Sequence, residues 1–117
     1  MELLILTPNG IAFEGECDEI YLPTTRGPLG IMKGYTPVVG ELRPTGVAKI
    51  TSYGSSTFFA LWHGAVEVKP DDKIVVLSET AIEASSEEEA LKLIEGKPLS
   101  INKDEEDVKV ASVKLKQ

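Results

Sequence analysis

Short apolar runs separated by turn residues fill the first 84 positions of the chain. Leu3 to Leu6 is apolar throughout and ends at Pro8-Asn9-Gly10, which predicts a strand and then a turn. Ile11 to Glu14 starts a second strand that Gly15 loosens. Glu16 to Leu22 sets Ile20 and Leu22 on one face and is expected to stop at Pro23. Gly46 to Tyr53 carries Ala48 and Ile50 on one face and ends at Gly54-Ser55-Ser56. Thr57 to His63 is aromatic and apolar, and Ala65 to Lys69 alternates, with Val66 and Val68 inward. Pro70-Asp71-Asp72 reads as a turn and Lys73 to Ser78 as a buried strand. Seven or more short antiparallel strands without βαβ alternation predict a β-sandwich or flattened barrel over residues 1–84.

From residue 85 the period changes, and residues 85–117 are expected to form a short α-helical hairpin. Ser86-Glu87-Glu88-Glu89 fits a capping box, with Ser86 as N-cap and an acidic first turn that suits the helix dipole. Ala90, Leu91 and Ile94 make a small apolar stripe, and Gly96 followed by Pro98 stops the helix. Further on, Asn102 is a candidate cap for a second helix bearing Val108, Ala111 and Leu115; an irregular strand through Val108, Val110, Val113 and Leu115 is the alternative.

Composition sharpens this division. Nine of the ten glycines lie between Gly10 and Gly64, whereas 14 of the 31 charged residues follow Ser85. The net charge of −7 argues against nucleic acid, which rewards clustered Lys and Arg. No apolar run approaches the roughly 20 residues of a membrane-spanning helix, and no signal or transit peptide is visible, so a cytosolic chain, or one whose leader is gone, is expected.

Candidate chemistry is sparse. Cys17 is alone, so no internal disulfide is possible, and Glu16 and Asp18 beside it are expected to raise its thiol pKa. His63 is the single histidine and reads as a strand-end residue; a site built on two histidines is impossible. The carboxylates fall in runs that read as solvated faces. Gly27, Gly30 and Gly34 lack the Lys-Ser/Thr ending of a phosphate loop. No catalytic residue, metal site or cofactor is expected. A sugar-binding domain using Trp62, His63 and Tyr53 needs exposed aromatics, but Trp62 lies within an apolar run.

The least ordinary segment is Gly27 to Val39, G-P-L-G-I-M-K-G-Y-T-P-V-V. Read as a loop it is too apolar for a surface connection, so it caps its own core or meets a partner. It resembles the G-x-L-G-I-x-x-G-H-A-P-L-L signature of the epsilon subunits of rotary F-type ATP synthases (delta in mitochondria). The family's opening V-x-x-P-x-G-x-x-F-x-G is similar to Ile5 through Gly15, its L-K-P-G to Leu42-Arg43-Pro44-Thr45-Gly46, and its G-G-x-x-E-V run to His63 through Ala81. The likeness covers residues 3 to 84 in order.

The resemblance implies a non-catalytic rotor piece in which the sandwich grips the gamma subunit and sits on the c-ring. The implied contact residues are Gly27, Pro28, Leu29, Gly30 and Ile31, with Tyr35 beside them. It implies a peripheral place on the cytoplasmic face of a bacterial inner membrane, without insertion. It also implies a regulatory tail, here carrying Ser86, Leu91 and Ile94, that reaches toward the alpha and beta catalytic subunits. The sequence departs from the pattern at Pro28, usually acidic, at Tyr35, usually His, and at His63, usually Gly. The tail is shorter than is usual and, from Ser86 to Gly96, lacks the Asp and Arg of the family's nucleotide pattern. Weak inhibition, a more apolar ring contact and no bound ATP are therefore expected.

Overall fold

The computed structural model describes residues 1–96, so the second tail element expected around 102–115 lies outside the described residues. Among the described residues eight strands and one helix succeed one another: β1 (Glu2–Thr7), β2 (Gly10–Glu16), β3 (Glu19–Thr24), β4 (Gly27–Met32), β5 (Val38–Glu41), β6 (Thr45–Ser52), β7 (Ser55–Lys69), β8 (Lys73–Ala84) and α1 (Glu87–Glu95). The strands hydrogen-bond in the order β2-β1-β8-β7-β6-β3-β4, with β5 also pairing β7. This is a β-sandwich with one short helix after it. All pairings are antiparallel except β1 with β8, which is parallel from Glu2↔Lys73 to Leu6↔Leu77.

The two long strands make the sandwich. β7 pairs β8 along nearly its whole length, but on its other side it pairs β6 up to Trp62 and β5 from Ala65 onward. Between these halves His63 (φ 52) and Gly64 (φ 138) are both left-handed. His63 therefore stands at a corner inside one strand, and not at a strand end. Two left-handed residues in succession bend the strand and flip its side-chain parity, as bulges do where a strand passes between layers. Before the corner, Phe59 and Leu61 enter the main core; after it, Val66 and Val68 do. The even-numbered Ala60 and Trp62 point the other way, into a second cluster with Ala84 and Ala90. The Ser78 hydroxyl secures the bend from β8, its single proton shared between the carbonyls of Trp62 (3.0 Å) and Thr80 (2.8 Å).

Pro23 does not end β3. It faces Pro28 across the β3–β4 ladder, and the β3–β6 pairing has already stopped at Tyr21↔Lys49. Two facing prolines fit a position where neither nitrogen must donate across the pair, with β4 at the sheet edge. The segment expected as a loop is thus mostly strand: Gly27–Met32 forms β4, and Val38 opens β5. Its glycines and prolines hide the alternation that puts Ile31 in the core.

α1 packs on the second cluster. The Glu89 amide donates to the Ser86 hydroxyl (3.1 Å), the N-cap bond the sequence predicts. The reciprocal bond goes one residue further back: the Glu89 carboxylate accepts from the amide (2.6 Å) and hydroxyl (2.9 Å) of Ser85. The packed stripe is Ala90, Leu93 and Ile94, and Leu91, expected within it, faces solvent at 45% exposure. Spacing allows either stripe on so short a helix; docking beside Trp62 selects the first. Gly96 ends α1 with right-handed geometry (φ −86).

Two effects are expected from these contacts. At Gly64 a Cβ would overlap the Leu77 carbonyl, and φ is unfavourable for any other residue. Gly64→Ala is expected to cost at least about 3 kcal/mol in denaturant unfolding. The Ser85 hydrogen bonds hold the Glu89 carboxyl below its ordinary pKa. A carboxyl lowered in the folded state adds stability that is complete at neutral pH and is lost as pH falls through the lowered value. Acid titration of the helical signal should show α1 loosening there, and Glu89→Gln should remove that step.

Candidate functional site

The side chains that the sequence singles out for chemistry are placed without catalytic geometry. Among the described residues no three His, Cys, Asp or Glu groups stand together as metal ligands. Cys17 is buried, and burial is the main cause that raises its thiol pKa. The N-terminal ammonium opposes this from 3.0 Å off the Cys17 carbonyl, while Asp18 and Glu16 add smaller upward pushes. Trp62 is buried beneath α1, so it offers no stacking face to a sugar.

The surface carries the information instead. Paired strand residues share a face. Opposite the core, the sheet of β2, β1, β8, β7 and β5 presents two rows across its outer side. One row runs Ile11–Leu6–Leu77–Ala65 and the next Glu14–Leu4–Val75–Glu67–Val39. Leu77 is 51% exposed, Ile11 60% and Val39 72%. A third row, Glu16–Glu2–Lys73–Lys69, closes the patch with charge and borders a cleft of about 440 Å³ floored by Leu4 and Val75. An apolar centre inside a polar rim is the anatomy of a protein interface.

Sequence reading missed these residues as a site, although the signal was visible. Leu3-Leu4-Ile5-Leu6 and Ile74-Val75-Val76-Leu77 are apolar at every position, not at alternate ones. Strands with that pattern are covered on both faces. Among the described residues, the face bearing Leu3, Ile5, Ile74 and Val76 is the covered one.

The sequence-predicted contact residues do not gather into one spot. Gly27 through Ile31 run along the edge strand β4, so their ends lie roughly 13 Å apart at strand rise. Ile31 is 0% exposed and supports the strand from the core. Leu29 is half-buried against the same core, and Pro28 is exposed. Gly30 lies under the ring of Tyr21, where a Cβ would come within 2.9 Å of the ring. Tyr35 sits past the far end of β4, its amide bonded to the Met32 carbonyl (3.1 Å), beside an exposed Met32. The adjoining Gly34 amide donates to the Asp72 carboxylate (2.8 Å), tying this loop to the β7–β8 turn.

Comparison with known proteins places the fold. The family described as "ATP synthase, Delta/Epsilon chain, beta-sandwich domain" matches residues 1–84. The ATP synthase epsilon chain of Ruminococcus albus is 41% identical over 86 residues, which cover 74% of this chain and 63% of that relative. The epsilon chain of a Synechococcus species is 33% identical over 114 residues, covering 88% of this chain and 83% of that one. Among solved structures, a chain in the Euglena gracilis mitochondrial ATP synthase OSCP/F1/c-ring assembly superposes with a TM-score of 0.65 at 18% identity, covering 80% of this chain and 61% of that chain. A chain in the Tetrahymena thermophila mitochondrial ATP synthase central stalk and c-ring gives 0.61 at 22% identity, covering 70% and 65%. This chain thus spans less than two thirds of the Ruminococcus relative and of both solved chains.

Proposed function

Because this chain belongs to the family of ATP synthase delta/epsilon chains, we propose that it is a non-catalytic part of the rotor. In this reading it joins the gamma subunit to the ring of c subunits, so that ion-driven rotation of the ring reaches the catalytic head. The observation that carries it is the bare apolar sheet face of Leu4, Leu6, Ile11, Val75 and Leu77. It spans five paired strands, as a grip on a shaft subunit requires.

The sandwich end bearing Tyr35 and Met32, with the exposed edge at Pro28 and Leu29, is the complementary surface toward the ring. Pro28 brings no charge to that contact, which makes it apolar at this position. Residues 85–117 are the regulatory portion in this reading. Ser86 sets the start of α1 and Ile94 docks it, while Leu91 is free for an outside contact. No helix among the described residues is long and apolar enough to cross a membrane. The chain reaches the membrane through the ring, as a peripheral protein on the cytoplasmic face of a bacterial inner membrane.

Leu77→Asp tests the grip directly. Its side chain is half exposed, so the thermal midpoint of the free protein should hardly move. Affinity for gamma, read by co-elution and titration, should fall at least about 30-fold, the scale of an interface hot spot. Undiminished binding would sink the assignment of this face. Removing residues 86–117 should raise ATP hydrolysis by the assembled complex only slightly; a large rise would mean that α1 and the residues after it inhibit strongly.

A further inference from the structure

The turn between β6 and β7 holds a tyrosine where local physics asks for something else. Ser52 pairs with Ser55, leaving Tyr53 and Gly54 as a two-residue hairpin loop. Both are left-handed, with φ of 51 and 80. Such turns favour Asn or Asp before Gly, and a bulky side chain in the first position is strained. Tyr53 recovers nothing by burial, since it is 91% exposed.

The backbone beneath the ring is nevertheless held firmly. The Tyr53 amide donates to the Asp18 carboxylate (2.8 Å), and the Asp18 amide donates to the Thr51 carbonyl (2.7 Å). The Ser52 hydroxyl donates to the Glu16 carbonyl (2.8 Å). A braced turn tip with a bare aromatic ring is a pre-organised anchor: little backbone freedom remains to be lost when it meets a surface.

Its neighbours extend the same surface. Thr51 pairs with Glu19, and Glu19 with Met32, so the Tyr53 turn and the Met32–Tyr35 loop stand about two strand spacings, roughly 10 Å, apart at one end of the sandwich. A second aspartate, Asp72, braces that loop as Asp18 braces the turn. At this end Glu2, Glu16, Asp18, Glu19, Asp71 and Asp72 outnumber Lys33, Lys69, Lys73 and the N-terminal ammonium, which leaves it acidic.

We propose that Tyr53, together with Met32 and Tyr35, anchors this end of the sandwich on a basic protein surface, that of the ring in the rotor reading. Lysine or arginine side chains of that surface lie across the tyrosine face while their charges meet Asp18 and Asp71. The proposal rests on the rotor reading and adds to it a contact residue and the charge of the partner.

The test uses the full chain and the gamma–ring assembly. Tyr53→Asn removes the ring and relieves the left-handed strain, so it cannot fail merely by unfolding. Its thermal midpoint should equal or exceed that of the wild type, while its affinity for the assembly falls about tenfold or more. Tyr53→Phe should retain most of the affinity, and wild-type binding should weaken as salt rises. Equal affinity of Tyr53→Asn and wild type, with gamma still bound through the Leu77 face, would overturn this inference and leave the rotor reading standing. A lowered midpoint in Tyr53→Asn would make the ring a structural element and overturn it as well. Failure of the wild type to bind the assembly at all would remove the reading on which it rests.

Discussion

The corner at His63–Gly64 is the constraint on which the rest of the molecule depends. One strand has to serve two layers, so its side chains must change sides partway along. Two consecutive left-handed residues achieve this, and the pairing to β8 skips His63 yet keeps the same register on either side. Phe59, Leu61, Val66 and Val68 then share one core, although their parities differ. Alternation before the corner turns Trp62 away from that core to seat α1, and the change of phase after it sets Ala65 beside Leu77 on the open face. One continuous core and one open face thus follow from a single backbone event.

This arrangement explains how much is legible in the sequence. Where a strand has one dry and one wet face, as in Ala65 to Lys69, alternation is sufficient. It fails where glycine and proline replace the informative side chains, so β4 reads as a loop although Ile31 obeys the strand period. It fails again at His63, because a left-handed residue inside a strand has no compositional mark apart from the glycine after it. The family likeness is legible because its motifs sit at such special backbone positions. The open apolar face is written in Leu3–Leu6 and Ile74–Leu77, but a run that is apolar on both sides reads first as burial inside the chain. It marks burial by something else equally well.

The two surfaces lie on one stiff body and differ in kind. The sheet face is apolar and broad, and suits a contact kept for the life of an assembly. The sandwich end is made of turn tips held by aspartate-to-backbone bonds, with aromatic and methionine side chains standing free. A part that transmits torque between two neighbours needs little compliance between its grips. Here the path between them runs through paired strands and a shared apolar core.

The parallel pairing of β1 with β8 has a consequence for how the chain is made. Leu3 meets Ile74 across 71 positions of sequence, so the last partner of the first strand is among the last parts of the sandwich to be synthesised. β1 closes on β2 at once, but its second edge, with its unbroken apolar run, stays open until β8 has left the ribosome. Closing so long a loop makes this a late step in folding. The segment proposed to grip a partner is therefore also the one most in need of shelter while the chain is being made.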